Sequence, residues 1–482
     1  MSTITNNRHQ ALSDNVWLHF FQMGHFSSTN ARPTILVRGE GSRVWDQDGN
    51  EYIDGLSGLF TVNVGYGRRE IIEAISAQLS DIAYVSPFSF PSLPLIDLSA
   101  RLAAISPTGP RSRVFLTTGG SDAVETALKI AKVYQRRRGF ADRTKIIARR
   151  VSYHGTSMGA LSVNGVTSIR NGFGPLVPGA RHVPLPYRFR CDYCAEHSAC
   201  QGVCVDEVER LIEFEGPETI AAIIMEPVQN SGGAIVSPPG YLQRIRQICD
   251  HYGIVMIMDE VICGFGRVGD WFGSTAMGVS PDIITCAKGI TSGYAPLGAA
   301  IVRDTIADVF VSENDADKFM HGITFGGHVA SCAAALANLA IIEREHLLER
   351  AREMGAYLMR ELIAAVGDHP NVGEVRGMGM FMAVELVRDR TTRESLDEER
   401  LMVWLSDQLK QRGLICRADD RLEPVIQLAP PLILTRDEAD HCVRIVAEAI
   451  HALGRRVGST PTVIALGAAP LPLEKTTAAA AD

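Results

Sequence analysis

The sequence predicts an α/β protein with a mainly parallel central sheet, helices on both faces of that sheet, and a smaller α+β domain. The chain has 482 residues, which is too many for a single small core. Between about residues 66 and 330, short and almost uniformly apolar runs alternate with helical patterns. Strands that are buried on both faces of a parallel sheet have this composition, and the helices between them cover the faces.

Residues 1–65 are predicted to form an N-terminal arm that is part of the smaller domain. Within the arm, residues 44–54 predict a hairpin with its turn at Asp48-Gly49, because Asp-Gly is a preferred hairpin turn. Residues 66–330 are predicted to form the large domain, with strand candidates at residues 114–116, 145–148, 221–225, 254–258 and 283–285.

Residues 331–456 are predicted to form the smaller domain. Their pattern is mainly helical, and the strand candidates are residues 381–385 and 425–428. The tail, residues 457–482, is rich in Ala, Thr and Pro and is predicted to be disordered.

The composition excludes several classes of function. A hydrophobic content of 46% and a charged content of 21% are ordinary for a globular protein, and the net charge of -8 does not favour nucleic acid. The polar N-terminus and the lack of a long apolar stretch predict neither a signal peptide nor a membrane span. We therefore expect a cytoplasmic enzyme whose ten cysteines are thiols.

A candidate anion site follows the first strand of the large domain. Residues 114–116 are followed by Gly119-Gly120-Ser121, where a helical pattern begins. Backbone N–H groups at a helix N-terminus, together with the helix dipole, favour a phosphate at such a position. The alternative is an ordinary strand-to-helix turn in which Ser121 caps the helix.

An acid and a lysine follow two later strands. Asp259 comes after residues 254–258, and a buried carboxylate needs a partner such as a protonated pyridine nitrogen. Lys288 follows residues 283–285, where desolvation and a nearby cation would lower the pKa of its amine so that it could form a Schiff base. Alternatively, Asp259 pairs with a cation or a backbone N–H, and Lys288 is a structural lysine. Because ligands bind beyond the carboxyl ends of parallel strands, the anion site, the acid and the lysine are expected to share one site.

These residues resemble a known family. Residues 258–267, with Lys288 29 residues after Asp259, are similar to the signature of class III aminotransferases, which depend on pyridoxal phosphate (PLP). Further similar motifs follow in order along most of the chain: Tyr153-His154-Gly155, Met225-Glu226-Pro227-Val228-Gln229, His321-Gly322-Ile323-Thr324-Phe325 and Arg376-Gly377-Met378-Gly379-Met380. Within the family, the chain looks most like the ω-amino acid and amine:pyruvate branch.

The resemblance implies PLP as the cofactor and the architecture called fold type I. It also implies a homodimer, or a dimer of dimers, with active sites at the interface. Lys288 would be the Schiff-base lysine and Asp259 would pair with the ring nitrogen, so these two are the expected catalytic residues. The other implied cofactor contacts are Tyr153 and Val261 on the two ring faces, Gly120 and Ser121 on the phosphate, Thr324 on the neighbouring subunit's phosphate, His154 in the motif of Tyr153, and Glu226 as an organiser of the surrounding residues.

Two positions depart from the family pattern. Ornithine- and γ-aminobutyrate-type members place a second glutamate five residues after the position of Glu226, and it neutralises an active-site arginine. This chain has Ser231 there, which argues against those substrates. Amine:pyruvate members often have Trp where this chain has Phe60, so the resemblance implies a substrate pocket lined by Phe60, Phe88 and Tyr153, aromatic but altered in shape.

By resemblance, Arg417 is the candidate for binding a substrate carboxylate. It lies in residues 414–421, which we interpret as a polar turn after a strand candidate. Because position 231 is a serine, we expect no internal partner for Arg417. It could then pair with an acceptor carboxylate, or swing out to water when an amine is bound. The alternatives are that Arg417 is a surface residue, or that Arg421 is the ligand.

Four cysteines form a compact group in the sequence. Cys191, Cys194, Cys200 and Cys204 lie within fourteen residues, with His197 among them, and four soft ligands could hold zinc. The five-residue gap between the second and third cysteines is shorter than in the usual zinc fingers. We therefore favour a surface loop of thiols and expect no metal.

The sequence favours amino transfer from an ω-amino acid or amine to a 2-oxo acid such as pyruvate, by a ping-pong mechanism. An aminomutase or a decarboxylating transaminase would use the same cofactor. A non-catalytic scaffold that depends on zinc is an alternative from a different class. The presence of both Lys288 and Asp259 argues against such a scaffold.

Overall fold

The computed structural model describes residues 8–26, 33–191, 193–194, 200, 202–396 and 400–458. Apart from residues 457 and 458, the tail that is predicted to be disordered lies outside these residues. None of the described helices is long and apolar enough to cross a membrane.

The N-terminal region forms a small sheet. Its elements are the helices α1 (Arg8–Asn15), α2 (Ser57–Phe60), α3 (Arg69–Asp81) and α4 (Leu93–Ile105), and the strands β1 (Leu36–Glu40), β2 (Arg43–Asp46) and β3 (Glu51–Asp54). Strands β2 and β3 are antiparallel, which confirms the hairpin predicted over residues 44–54. Asp46 fixes the turn because its Oδ1 accepts the N–H groups of Asp48 and Asn50, and Gly49 adopts a φ of +84°, which favours glycine.

A seven-stranded sheet forms the centre of the molecule. The strands of this region are β4 (Arg113–Thr117), β5 (Lys145–Arg149), β6 (Ala180–Val183), β7 (Ile220–Met225), β8 (Val228–Gln229), β9 (Ile235–Val236), β10 (Val255–Asp259), β11 (Ile283–Cys286) and β12 (Gly298–Val302). The order in the large sheet is β4-β12-β11-β10-β7-β5-β6, and among these seven described strands only β12 runs antiparallel to the other six. All five predicted strands of residues 66–330 are therefore confirmed as members of a mainly parallel sheet.

Helices cover both faces of this sheet. The helices of the region are α5 (Gly120–Arg137), α6 (Met158–Val163), α7 (Thr167–Arg170), α8 (Val203–Glu215), α9 (Tyr241–Tyr252), α10 (Gly273–Ala276) and α11 (Asp304–Ala307). Alternate residues of β10 point to opposite faces. Met256 and Met258 join a core that includes residues of α8 and α9, whereas Val255 and Ile257 join a second core with residues of α5 and α6. This confirms the predicted α/β class.

The C-terminal region is mixed α and β. Its helices and strands are α12 (Val329–Arg344), α13 (Leu347–Val366), β13 (Val372–Met378), β14 (Phe381–Asp389), β15 (Glu394–Ser395), α14 (Leu401–Gln411), β16 (Leu414–Ile415), β17 (Arg417–Asp419), β18 (Val425–Leu428) and α15 (Arg436–Arg456). The sheet order is β13-β14-β18-β17, β15 pairs with β14, and β16 pairs in parallel with β3 of the N-terminal sheet.

The interpretation of residues 414–421 as a turn is wrong for most of that segment. Arg417 pairs with Gln427 and Asp419 pairs with Val425, so the polar segment forms the edge strand β17 next to the buried strand β18. Pairing with β18 satisfies the backbone groups of a segment whose own side chains do not predict a strand.

Candidate active site

One cavity lies at the carboxyl edge of the central sheet. The residues around it come from the segments that follow β4, β5, β7, β10 and β11, and they are Gly120, Ser121, Tyr153, His154, Gly155, Glu226, Asp259, Val261, Ile262, Cys263 and Lys288. Eight of the nine predicted cofactor-binding residues are among them, and Thr324 is the exception. Gly155 and residues 262–263 also border the cavity and lie within the motifs described above, but no role is predicted for them. Small or apolar side chains do not by themselves indicate a catalytic or binding role.

Asp259 is held at the end of β10 by two different groups. The residue is 4% exposed, its Oδ2 lies 2.8 Å from Nδ1 of His154, and its Oδ1 accepts the N–H of Val261 at 3.1 Å. These contacts are of the kind that the alternative interpretation of Asp259 required. The Nε2 atom of His154 is buried and has no hydrogen-bond partner among the described residues. The Asp259–His154 pair is therefore a buried polar unit that faces the cavity.

Lys288 begins a short 3-10 turn after β11. Its φ of +47° is in the left-handed region, which is unfavourable for a residue with a side chain. Burial lowers the pKa of its amine, Asp259 and Glu226 act in the opposite direction, and Arg417 lowers the pKa further. A buried amine with a lowered pKa is a better nucleophile at neutral pH.

Glu226 connects two of the segments that surround the cavity. Its carboxylate accepts the N–H of Tyr153 at 3.2 Å and that of Asn230 at 2.9 Å. Burial raises the pKa of Glu226, and the nearby Asp259 raises it further, whereas His154 lowers it. Glu226 therefore fixes the backbone on which Tyr153 and His154 are placed.

The predicted anion site lies at the N-terminus of α5, an eighteen-residue helix that begins at Gly120. The Ser121 hydroxyl accepts the N–H of Thr156 at 3.1 Å, which joins the start of α5 to the segment after β5. A Cβ atom at Gly155 would lie 2.9 Å from Ser121 Cα, and one at Gly120 would lie 3.0 Å from Val261. Glycine at these two positions keeps the entrance to the helix N-terminus open.

Four predicted residues do not line this cavity, and they are Phe60, Phe88, Thr324 and Arg417. Phe60 is buried, with its ring centroid 5.4 Å from that of Phe381. Phe88 is 65% exposed and borders a separate apolar cavity with His321 and Gly322. Thr324 is also exposed, and its carbonyl oxygen accepts the hydroxyl of Tyr84 at 2.8 Å. Within one chain, the side chains of Phe60, Phe88 and Thr324 therefore do not line the cavity that contains Lys288.

Arg417 has an internal partner, so the expectation that it lacks one is wrong. Ser231 is buried where some family members have a glutamate, but Asp419 Oδ2 lies 3.2 Å from the Arg417 guanidinium. Burial lowers the pKa of Arg417, and Asp419 opposes this effect. Because β17 is a strand, the side chains of residues two apart point to the same side of the sheet.

None of the four clustered cysteines is in a disulfide, and the expectation that they form a surface loop is wrong for three of them, because these three are buried. Cys191, Cys194 and Cys204 are buried, and Cys200 is partly buried. Within the described part of the chain, no group of three or more His, Cys, Asp or Glu side chains is arranged to hold a metal ion. His197 lies outside the described residues.

The residues around the cavity match a phosphorylated pyridine aldehyde in chemical type. A helix N-terminus suits a phosphate, a buried carboxylate suits a protonated ring nitrogen, and a buried amine suits an aldehyde. Tyr153 and Val261 add an aromatic and an apolar surface at the same cavity. The donor set therefore fits PLP.

Comparisons with known proteins agree with this chemistry. The family model described as aminotransferase class-III matches residues 26–450. A probable aminotransferase of Mycobacterium tuberculosis is 43% identical over 446 residues, which is 92% of this chain and 94% of that protein. A taurine–pyruvate aminotransferase of Bilophila wadsworthia is 38% identical over 92% of this chain and 96% of its own length.

Solved structures give the same result. An (S)-enantioselective omega-transaminase from Thermomicrobium roseum is 42% identical, with a TM-score of 0.86 over 92% of this chain and 97% of that one. This likeness confirms fold type I. The chain belongs to the class III aminotransferases, a family of PLP-dependent enzymes, and its reaction is transamination.

Proposed function

We propose that this chain moves an amino group from an ω-amino acid or an amine to a 2-oxo acid such as pyruvate, in a ping-pong reaction with PLP as its cofactor. The observation that carries this proposal is the single cavity shared by Lys288, Asp259 and the N-terminus of α5. The taurine–pyruvate relative, by its name, uses pyruvate, which supports this choice of acceptor.

The residues of the cavity would divide the binding of the cofactor among them. Gly120 and Ser121 would hold the phosphate at the N-terminus of α5, and Tyr153 and Val261 would flank the ring. Asp259 would pair with the ring nitrogen, and Lys288 would hold the cofactor covalently. When bound, PLP supplies an electron sink for the charge that develops on the substrate carbon.

Two residues of the chain would handle protons and charge. Asp259, buried and in contact with His154, would keep the ring nitrogen protonated. Lys288 would take a proton from the reacting carbon of the substrate and deliver it to the cofactor, because burial lowers the pKa of its amine. Glu226 would position Tyr153 and His154 through the backbone rather than touch the reacting atoms.

Arg417 would bind the carboxylate of the acceptor. Its electrostatic effect on the pKa values of Lys288 and Tyr153 supports a position within reach of the cavity. A guanidinium can form two parallel hydrogen bonds with a carboxylate, which would fix the oxo carbon relative to Lys288.

The active unit is proposed to be a homodimer, or a dimer of dimers. Thr324 and Phe88 are exposed and do not line the cavity of their own chain, as expected for residues that would complete the site of a neighbouring subunit. In this proposal Thr324 would reach the neighbour's phosphate, and Phe88 would border its substrate pocket together with Tyr153 of that subunit.

A panel of donors and acceptors tests the proposed function. The enzyme is mixed with one amino donor at a time, without acceptor, and the products are identified. We expect free aldehyde or ketone together with the aminated cofactor, and then alanine when pyruvate is added. Carbon dioxide released from the donor would instead indicate a decarboxylating transaminase, and an isomeric amine with no free carbonyl product would indicate an aminomutase.

A further inference from the structure

One carboxylate lies between two guanidinium groups beside the cavity. Oδ2 of Asp419 is 3.2 Å from Nη2 of Arg417, and Oδ1 is 3.6 Å from Nε of Arg421. The side chains of the three residues are 7%, 17% and 19% exposed, in the order Asp419, Arg417, Arg421. Two positive charges therefore share one negative charge in a poorly hydrated place, and one positive charge is left over.

This charge group adjoins the aromatic residue of the candidate active site. The Arg421 guanidinium lies 5.7 Å from the centroid of the Tyr153 ring, and a second ring, that of Phe20, lies 5.9 Å from the same group. Both arginines lower the pKa of Tyr153, against the effect of burial, which raises it. The surplus positive charge therefore lies beside an aromatic residue that lines the cavity.

The contact between Arg417 and Asp419 is close but is not a good hydrogen bond. Oδ2 of Asp419 has no hydrogen-bond partner among the described residues, although Nη2 of Arg417 is 3.2 Å away. A bidentate pair between a guanidinium and a carboxylate is stronger than an ion pair that lacks this geometry. A substrate carboxylate could therefore replace Asp419 at Arg417.

We propose that Asp419 is a counter-ion shared by Arg417 and Arg421, and that this sharing determines which substrates the site accepts. With an amine in the site, Asp419 pairs with both arginines. When a substrate carboxylate binds Arg417, Asp419 stays paired with Arg421, so neither state leaves a buried charge without a partner. The inference rests on the proposed role of Arg417, and it makes Arg421 a positioning residue that acts through Asp419.

Charge balance gives opposite effects for the two single substitutions. In Arg421→Gln, Asp419 can pair only with Arg417. A substrate carboxylate must then displace Asp419 from Arg417, which leaves the buried Asp419 carboxylate without a partner. We expect the Michaelis constant for pyruvate to rise about tenfold, with little change in kcat. Asp419→Asn removes the competitor and should tighten carboxylate binding by about tenfold, while weakening the binding of amines that lack a carboxylate.

The double variant separates this mechanism from a structural role. Arg421→Gln combined with Asp419→Asn restores the surplus of one positive charge, so carboxylate affinity should return to within about threefold of wild type. Arg421→Lys keeps the charge and should also stay close to wild type. Arg412→Gln is the matched control, because Arg412 is paired with Glu448 at 3.4 Å in the same region and is outside the cavity.

The readout is the dissociation constant of propanoate, measured by calorimetric titration of the holoenzyme, together with the kinetic constants for pyruvate. Propanoate has a carboxylate but no 2-oxo group to accept an amine, so binding is measured without turnover. Arg417→Ala is included to test the proposed function itself.

The outcomes distinguish the role of Arg417 in binding carboxylates from the role of Asp419 as a shared counter-ion. If Arg417→Ala weakens propanoate but Arg421→Gln does not, the shared counter-ion is overturned and the role of Arg417 stands. If Arg417→Ala has no effect, both fall. If the double variant binds propanoate as weakly as Arg421→Gln does, Arg421 has only a structural role. Recovery in the double variant, with Arg412→Gln unchanged, supports the inference.

Discussion

The buried carboxylate of Asp259 is held in position by two contacts and is expected to pair with the protonated ring nitrogen of PLP. Its oxygens contact His154 and the N–H of Val261, so both sides of the carboxylate are held in place. Asp259→Asn preserves the shape of the side chain but removes its negative charge. We expect PLP to remain bound in part, whereas kcat for amino transfer falls about a hundredfold or more, because the electron sink is weakened.

For Asp259→Asn, cofactor absorbance measures how much PLP the variant retains. Single-turnover rates measure how fast it transfers the amino group. Asp389→Asn is the control, since Asp389 is exposed and caps the N–H of Thr392 far from the cavity. Turnover near the wild-type value in Asp259→Asn would contradict the proposed role.

Lys288 is expected to be the residue that carries the cofactor. Burial lowers the pKa of its amine, so a larger fraction is uncharged and nucleophilic at neutral pH than for an exposed lysine. Borohydride should abolish the visible absorbance of the holoenzyme and leave a stable label on the peptide that contains Lys288. Lys132 is an internal comparison, because burial also lowers its pKa although it borders a different cavity. A label on Lys132, or on any other lysine, would refute the assignment.

At the residue scale, the sequence predicts which residues belong to the site better than it predicts which side chains surround them. The positions of Asp259, Lys288 and Ser121 after apolar strands were sufficient to place them at one edge, because parallel strands end together. Local sequence could not predict that Phe60 packs against Phe381, since that contact joins residues from opposite ends of the chain. The pairing of Arg417 with Asp419 was missed because it depends on the strand β17, which aligns side chains two residues apart.

At the scale of elements, the start of α5 depends on the glycine that faces it. Gly155 has a φ of +116°, and a Cβ there would crowd Ser121. Gly155→Ala should therefore displace the N-terminus of α5 and raise the dissociation constant of PLP by about tenfold. Absorbance titration of the apoenzyme measures this constant.

Gly172→Ala is the matched control for Gly155→Ala, because a Cβ at Gly172 would meet no atom within 4 Å. Equal PLP affinity in both variants would show that the close approach of Gly155 to Ser121 does not shape the phosphate site.

Among the predicted elements, the strands of the central sheet are identified by continuous apolar runs. Strands such as β7 and β10 are continuous apolar runs because helices cover them on each side. Strands β16 and β17 are only two and three residues long, and β17 is polar. The strand β16 depends on β3, which is distant in sequence, and the polar strand β17 depends on pairing with β18, so neither has a local pattern that identifies it.

At the scale of the whole molecule, an exposed apolar surface surrounds the two residues that are expected to reach the neighbouring subunit, Phe88 and Thr324. Phe88 and Met320 border one apolar cavity and are 65% and 86% exposed, and Phe325 beside Thr324 is 59% exposed. Large apolar side chains grouped in this way are typical of a protein interface rather than of a free surface. A second copy of the chain placed there would bring Thr324 and Phe88 to the neighbouring active site.

We therefore expect the wild-type enzyme to sediment as a dimer or a higher even oligomer. Met320→Lys should weaken association, because it places a charge in the apolar surface, and activity should be lost on dilution in parallel with the dimer. Phe214→Lys is the matched control, because Phe214 is 85% exposed on α8, well away from this surface. If Met320→Lys sediments as a monomer with full activity, the site is complete within one chain, and Thr324 has no role across the interface.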